Sequence, residues 1–385
     1  MLNLSIKNFK CFYDSSIKIK NLTVLAGANG NGKSSIIQSI LFLRRTIEHC
    51  SYCEDTGYSG KLDINRNVEL NGAYCLALGT SKNIIPVDAE LGSKMIISIC
   101  DDDNEISVVY NHDDENNSFW IKPVESKQEG YVNSLPILKK QFYYLNAERL
   151  GPRIAQKIVA HDYANVGYQG EYCAQILSTY GSIRDYEIEE SKLFVNDDKV
   201  SRSLLRQVQL WLEFLIPDVV VDSIIDNNML SAQIIVRNGY TMGETVIATN
   251  VGFGISYVLP IIITGLLANK GAFMIVENPE AHLHPSAQSR IAQFLSRIAN
   301  SGVYVIVETH SDHFISGLQI SSIKKDIHHD AVNLVYLDKP SGSKAPHIRE
   351  ISINERGELS EWPIGFFDQT QQDYRDLLIL RRKNG

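Results

Sequence analysis

Three continuous apolar runs predict the centre of this fold. They cover residues 22–26, 273–276 and 303–307. Runs of this length without polar alternation are typical of parallel strands that are buried on both faces of a sheet. Between the last two runs, apolar residues recur at helical spacing from 287 to 298, which predicts a crossover helix. The fold class expected from this pattern is α/β.

Short strands and turns characterise the first part of the chain. Residues 1–26 predict two or three strands, and residues 60–122 predict several more. The acidic clusters at 101–103 and 112–115 separate some of these segments. Acidic clusters can hold a cation, but solvated hairpin turns are the simpler interpretation. We therefore expect a β-rich lobe.

Helical periodicity dominates much of the second half. One stretch covers 171–216 and ends at Pro217, and another follows residue 254 and contains Pro260. Because proline disrupts the hydrogen bonds of a helix interior, Pro260 should either kink this helix or mark its first turn. Strands are expected between the two stretches, near 219–237.

These patterns divide the 385 residues into four expected segments. They are a first lobe with a β-rich subdomain, an inserted lobe of helices and strands, a segment that completes the core, and a small C-terminal β/α appendage. Their predicted bounds are 1–170, 171–250, 251–330 and 331–385.

Composition and charge narrow the class of protein. Hydrophobic residues make up 44% and charged residues 21% of the chain, as in an ordinary globular protein. The net charge of −8 argues against wholesale coating of nucleic acid, although a local basic groove stays possible. No apolar run reaches the length of about twenty residues that a membrane span needs, and the N-terminus lacks a signal-peptide core. We expect a cytoplasmic protein with reduced cysteines and no membrane partner.

The strongest chemical signal is a glycine-rich loop directly after the first apolar run. Residues 27–34 read Gly-Ala-Asn-Gly-Asn-Gly-Lys-Ser, between a predicted strand and an amphipathic helix, which is the setting of a phosphate-binding P-loop. Lys33 should neutralise the β- and γ-phosphates, and the Ser34 hydroxyl should ligate Mg²⁺. The chain is therefore predicted to bind a nucleoside triphosphate. The expected cofactor-binding residues are Gly27, Asn29, Gly30, Asn31, Gly32, Lys33, Ser34 and Ser35.

Two more polar clusters end apolar runs far along the chain. Residues 276–285 read Val-Glu-Asn-Pro-Glu-Ala-His-Leu-His-Pro, and 307–312 read Val-Glu-Thr-His-Ser-Asp. They resemble the Walker B, D-loop and switch-histidine segments of ATP-binding-cassette (ABC) heads of the SMC, RecF and OLD type. The start at 6–12 and the stretches 146–153 and 250–256 also match this group. The end, 357–368, is similar to that of a bacterial ATPase subfamily of unassigned function.

The resemblance implies an ABC-ATPase head, a P-loop NTPase fold, with ATP and Mg²⁺ as cofactors. It implies that Glu277 holds Mg²⁺ opposite Ser34, directly or through water, and that His310 senses the γ-phosphate. In relatives the nucleotide lies between two heads, and the partner's signature loop caps the γ-phosphate.

The candidate signature loop here is Gly252, Phe253 and Gly254, at the start of an apolar helix. The usual signature serine is not obvious, so the contact in trans would rest on backbone N–H groups. The alternative is a tight turn before a buried helix.

One departure from the family pattern bears on catalysis. Relatives commonly carry Asp-Glu where this chain has Glu277 and Asn278, and the second acid polarises the attacking water. Asparagine cannot accept a proton, and general-base assistance contributes about 10²–10⁴ in rate. Glu280 is a candidate substitute, with a structural role in the D-loop as an equal alternative. We therefore expect slow hydrolysis and a nucleotide-gated switch.

The resemblance favours an ATPase that forms a head-to-head dimer, or a higher oligomer, on ATP. It would gate a separate effector, such as a nuclease, in anti-phage defence, as in Septu-like or retron-associated modules. The alternatives are a RecF-like DNA-binding repair clamp and a non-hydrolysing nucleotide-binding scaffold. A transporter subunit fits the motifs less well.

Several polar clusters keep more than one interpretation. Three have the composition of a metal site, but structural roles explain them more simply. They are residues 49–53, His282 with His284, and residues 328–330. Arg149 and Arg153 could contact phosphate or DNA, or could pair with nearby acids.

Overall fold

The structure is a computed structural model that describes most of the chain. The described residues are 1–59, 61–90, 92–111, 117–182, 184, 186–194, 200–239, 243–250, 252–363 and 369–384. The acidic turn predicted at 112–115 and the last part of the C-terminal motif, 364–368, lie outside the described residues.

Strands and helices alternate along the described chain. The strands are β1 (Leu2–Phe9), β2 (Phe12–Ile19), β3 (Leu22–Gly27), β4 (Val68–Glu69), β5 (Met95–Cys100), β6 (Glu105–Asn111), β7 (Trp120–Glu129), β8 (Phe142–Leu145), β9 (Gln156–Lys157), β10 (Val219–Asp226), β11 (Ser231–Asn238), β12 (Val246–Ile247), β13 (Phe273–Glu277), β14 (Tyr304–Glu308), β15 (Val332–Asp338) and β16 (His347–Ile351). The α-helices are α1 (Lys33–Cys50), α2 (Cys173–Tyr180), α3 (Leu204–Leu215), α4 (Phe253–Leu267), α5 (Pro285–Asn300), α6 (Asp312–Lys324) and α7 (Gln369–Asn384).

A mostly parallel sheet forms the centre of the fold. Its order is β16-β15-β3-β14-β13-β8, and all neighbours from β15 to β8 are parallel, with β16 antiparallel at one edge. The three apolar runs are β3, β14 and β13, and the crossover helix is α5. The predicted α/β fold is confirmed. Parallel strands place their carboxyl ends at one edge of the sheet, where ligands of such folds usually bind.

Side chains of the central sheet alternate between two hydrophobic cores. Leu25 and Ile275 pack into a core with α1 and the antiparallel strands of the first lobe. Val24 and Val276 pack into a second core with helices of the other lobe, including α3, α4 and α5. Burying a Val, Leu or Ile side chain stabilises a fold by about 1.5–3 kcal/mol. Both faces therefore hold the carboxyl edge of the sheet in place.

Two further sheets flank the central one. The first lobe contains the antiparallel order β2-β1-β5-β6-β7-β4, which is the predicted β-rich part. The inserted lobe contains β10-β11-β12, with β9 paired to β11, and packs against α2 and α3. The segment predicted as a C-terminal appendage contributes β15 and β16 to the central sheet, because β15 pairs with β3.

The helices follow most of the sequence-based expectations. Helix α3 ends two residues before Pro217, as predicted. Helix α4 begins at Phe253 and contains Pro260 in its interior, so the alternative that Pro260 marks the first turn is wrong. Among the described residues, none of the helices combines the length and apolar content that crossing a membrane requires.

Candidate nucleotide-binding site

The glycine-rich loop connects β3 to α1 at the carboxyl edge of the sheet. A side chain at Gly27, whose φ is 136°, would overlap the carbonyl oxygen of Leu337 in β15. Asn31 Nδ2 donates a hydrogen bond to that same carbonyl at 3.0 Å. The predicted P-loop setting of strand, loop and helix is therefore present, and β15 anchors the loop from the side.

Lys33 is the first residue of α1 and lies beneath the loop. Its ammonium donates hydrogen bonds to the carbonyls of Gly27 at 2.8 Å and Ala28 at 3.0 Å, and only 3% of the residue is exposed. Burial lowers the pKa of Lys33, and the carboxylates of Glu308 and Glu280 oppose that shift. A cation enclosed by loop backbone is suited to bind phosphate oxygens.

Ser34 contacts an acid that carries no predicted role. The Ser34 hydroxyl lies 3.1 Å and 3.2 Å from the two carboxylate oxygens of Glu308, at the end of β14. Glu308 is 5% exposed, and burial together with the nearby Glu277 carboxylate raises its pKa to about 7. The Ser34 hydroxyl, predicted to lie opposite Glu277, thus donates its hydrogen bond to Glu308 on the adjacent strand.

Glu277 occupies the equivalent position at the end of β13. It pairs in register with Glu308 on the adjacent strand, and its carboxylate accepts a hydrogen bond of 2.9 Å from the Tyr144 hydroxyl. Burial raises the pKa of Glu277. The two acids therefore lie side by side at the carboxyl edge, next to the P-loop.

Glu280 connects the D-loop to the switch-histidine segment. One of its oxygens accepts a hydrogen bond of 2.9 Å from the Thr309 hydroxyl, and the other accepts one of 2.7 Å from the His310 backbone N–H. Burial raises the pKa of Glu280. Both oxygens hold this segment in place, which agrees with the structural alternative for Glu280.

His310 lies at the exposed rim of the site. Its Nε2 is 4.0 Å from a Glu308 oxygen. Partial burial and the charge of Lys33 lower its pKa, which favours the neutral form of the ring. A neutral imidazole at this position can donate a hydrogen bond to an incoming phosphate oxygen.

The turn after Glu277 has an unusual backbone conformation. Asn278 has a φ of 45°, and its N–H donates to the Glu308 carbonyl at 2.9 Å. The Arg149 guanidinium donates hydrogen bonds of 2.6 Å to the carbonyls of both Glu277 and Asn278. The contacts of Arg149 are structural, but its partners are backbone carbonyls and not the nearby acids that were expected.

The candidate signature loop lies beside the D-loop. Gly252 precedes α4 without a side-chain cap, so the first N–H groups of this helix are open to an anion. Phe253 is 54% exposed and stacks on His282, with ring centroids 5.5 Å apart. The Tyr257 ring also contacts His282, in an edge-on arrangement with ring centroids 4.4 Å apart. These ring contacts give His282 a structural role.

Two further clusters with the composition of a metal site are residues 49–53 and 328–330. All six cysteines are free thiols, with Cys50 buried at the end of α1 and Cys53 exposed. Within the described ranges, one His/Cys/Asp/Glu group comes close enough together to hold a metal, and it is His328, His329 and Asp330. This group is mostly exposed on the turn before β15.

Two residues of the site, Glu308 and Tyr144, were not among the predicted site residues. Glu308, like Glu277, is an acid that directly follows an apolar run, and the ends of adjacent parallel strands meet at one edge. Tyr144 lies on β8 without a comparable signal, because its contact with Glu277 depends on the strand order.

Comparison with known families gives matches along most of the chain. The family described as "AAA domain, putative AbiEii toxin, Type IV TA system" matches residues 101–316. The family described as "AAA ATPase domain" matches residues 1–151. "Protein of unknown function (DUF3696)" matches residues 327–377. None of the curated proteins matches the sequence.

Solved structures of SMC heads are among those similar to this chain. The Smc head bound to the C-winged helix domain of ScpA has a TM-score of 0.52 at 12% identity, over 92% of this chain and 98% of that one. An Smc head with an extended coiled coil, bound to the C-terminal domain of ScpA from Pyrococcus furiosus, has a TM-score of 0.49 at 13% identity, over 91% and 97%. The SMC head domain from Thermotoga maritima has a TM-score of 0.42 at 12% identity, over 91% and 98%. The first of these confirms the predicted ABC-type head fold.

Proposed function

Because this chain belongs to the matched family of AAA-domain ATPases, we propose that it is an ATP-gated switch that controls a separate effector. The observation that carries the proposal is the convergence of a P-loop with three strand-end and loop acids. Ser34 donates a hydrogen bond to Glu308, and Lys33 lies near the same carboxylate. Glu277 ends the adjacent strand, and Glu280 accepts a hydrogen bond from the backbone N–H of His310. These groups suit the binding and hydrolysis of a magnesium nucleotide.

The donor atoms at this edge fit Mg²⁺. Ser34, Glu277 and Glu308 offer hydroxyl and carboxylate oxygens, which are the ligands that this hard cation prefers. Lys33 would bind the β- and γ-phosphates, and His310 would contact the γ-phosphate at the rim. The bound magnesium nucleotide supplies the phosphoryl group that hydrolysis removes.

Hydrolysis should be slow in the isolated chain. Asn278 stands where a relative would carry the general base, and its side chain cannot accept a proton. Glu280 uses both oxygens to hold Thr309 and His310. We therefore expect turnover below about one per second, under the typical enzyme value of about ten.

The open N-terminus of α4 supports a head-to-head dimer. In this arrangement, Gly252 and Gly254 of one head would present backbone N–H groups to the γ-phosphate held by the other. The exposed ring of Phe253 lies on the same surface, and its burial would add to the dimer contact.

The effector is proposed to be a separate protein, with a nuclease as the leading class. The Smc head with the shared fold was solved with a bound ScpA domain, which supports a partner-binding role for such heads. The family description names a toxin of a toxin–antitoxin system, which supports a role in anti-phage defence. The RecF-like alternative predicts that the chain alone binds DNA in a salt-sensitive manner.

Sedimentation velocity with and without ATP tests the switch. Wild-type protein should sediment as a larger species with ATP and Mg²⁺ than with ADP, and a Lys33→Ala variant should not change. Unchanged sedimentation of the wild type in ATP would contradict the switch. A turnover far above about one per second would contradict slow hydrolysis.

A further inference from the structure

Arg149 is a buried arginine that joins three parts of the site. It is 3% exposed. Besides the carbonyls of Glu277 and Asn278, it donates a 3.0 Å hydrogen bond to the carbonyl of Asn146 in its own loop. Its guanidinium carbon lies 5.4 Å from the ring centroid of Tyr257 on α4. The Arg149 side chain therefore contacts the end of β13, the D-loop and α4.

The partners of Arg149 are neutral backbone carbonyls. Burying a guanidinium costs free energy unless its N–H groups are satisfied, and burial lowers its pKa. The planar fork of arginine holds two adjacent carbonyls with two separate nitrogens in a fixed geometry, which the compact ammonium of lysine on its flexible stem does not impose. Both Nη groups are directed at these carbonyls, and Nε is buried without a hydrogen-bond partner among the described residues, so Arg149 is not arranged to bind phosphate or DNA.

The backbone that Arg149 holds is strained. A φ of 45° at Asn278 is uncommon for a residue other than glycine, and such conformations persist where surrounding contacts fix them. Since Glu277 immediately precedes this turn, its carboxylate position depends on the same contacts. On α4, the Tyr257 ring contacts His282, and the His282 ring in turn stacks on Phe253 at the start of the helix.

We propose that Arg149 is a positioning residue for ATP hydrolysis that couples the Glu277–Asn278 turn to the first turn of α4. The catalytic part of this proposal rests on the proposed ATPase function, whereas the coupling is a property of the chain alone. Removing the Arg149 guanidinium should increase the mobility of both the Glu277–Asn278 turn and the candidate signature loop. It should not remove a contact with phosphate.

Hydrogen exchange on the full chain tests the coupling without requiring turnover. Arg149→Gln should lose amide protection in peptides covering both 277–284 and 253–258, with α1 unchanged. Arg149→Lys should lose less. Arg356→Gln, exposed on the turn after β16, is the control and should resemble wild type. Unchanged protection at 253–258 in Arg149→Gln, or in Arg149→Lys if the former does not fold, would overturn the proposal.

Steady-state kinetics of the same variants separate positioning from binding. Arg149→Gln should reduce kcat by about 10- to 100-fold, as outer-shell changes do, while the ATP dissociation constant stays within about twofold. Arg149→Lys should recover part of kcat. A loss of ATP affinity as large as the loss of kcat would overturn the positioning role. Absence of turnover in wild type would instead reject the proposed ATPase function, and the exchange result would still decide the coupling.

Discussion

At the residue scale, the site depends on a small number of buried charges at one sheet edge. Lys33 lies beneath the loop, while Glu277 and Glu308 end adjacent strands. Burial raises the pKa of both acids. A divalent cation would offset this unfavourable burial, because each acid would gain a positive neighbour. The residue-scale predictions concern these charges.

Replacing Glu308 with glutamine should lower the affinity of the site for Mg²⁺. The change removes a charge beside Ser34 but keeps the shape of the side chain, so the fold should persist. We expect the Mg²⁺ concentration for half-maximal ATP turnover to rise by about tenfold or more, as loss of a charged partner commonly costs 1.5–3 kcal/mol. Glu105→Gln, at the Lys127 pair on the β6–β7 hairpin of the antiparallel sheet, is a suitable control. An unchanged Mg²⁺ dependence would show that Glu308 does not act near the cation.

Removing the Lys33 ammonium should abolish most nucleotide binding. Its contacts are with carbonyls of the same loop, so Lys33→Ala should fold normally. Charge-assisted hydrogen bonds to phosphate predict a loss of about 10- to 100-fold in ATP affinity. Calorimetric titration with ATP measures this, alongside a thermal melt. Wild-type affinity in a folded variant would reject the P-loop assignment.

At the element scale, β15 determines how the P-loop is built. It lies next to β3, and Leu337 at its end contacts both Gly27 and Asn31. Only a residue without a side chain fits at Gly27. At Gly30, a Cβ atom would have no neighbour within 4 Å. A side chain is therefore excluded at Gly27 by the contact with β15, whereas at Gly30 no neighbouring atom excludes one.

Substituting alanine at Gly27 should disturb both β15 and the nucleotide site. We expect Gly27→Ala to lower the free energy of unfolding by about 1–3 kcal/mol through backbone strain and overlap with Leu337. Gly30→Ala is the matched variant and should cost less, because only its φ of 80° is unfavourable. Denaturant unfolding compares the two. Equal losses of stability would argue against the Leu337 contact as the cause.

The elements also show which features the sequence could predict. The P-loop and the core strands were predictable because each is encoded by a short continuous segment. The contact of Ser34 with Glu308 was not, since it requires β14 to lie beside β3, and apolar runs do not specify strand order. The role of Arg149 stayed open for a similar reason: backbone carbonyls as partners leave no mark in the sequence.

At the scale of the whole molecule, two lobes meet along the central sheet. The first lobe supplies the P-loop and the antiparallel strands, and the second supplies α4 with its open N-terminus. The P-loop and the candidate signature loop thus belong to different lobes, as expected for a site completed by a second head. The interface prediction belongs to this scale.

Changing Phe253 should prevent ATP-dependent dimerisation without unfolding the head. Phe253→Asp places a charge on the proposed interface, where it would repel phosphate and lose apolar contact. We expect the ATP-dependent shift in sedimentation to disappear while ATP binding by the monomer persists. Phe119→Asp, also exposed at 62% but on the segment leading into β7, provides the comparison. Normal dimerisation of Phe253→Asp would exclude this surface.

The position of β15 beside β3 has a consequence for synthesis on the ribosome. The strand that carries the P-loop emerges early, but its neighbour and the Leu337 carbonyl emerge more than three hundred residues later. A nascent chain released before β15 would carry the complete P-loop sequence without its lateral support. We therefore expect nucleotide capture to require synthesis beyond β15, and products terminated before this strand should remain inert toward ATP.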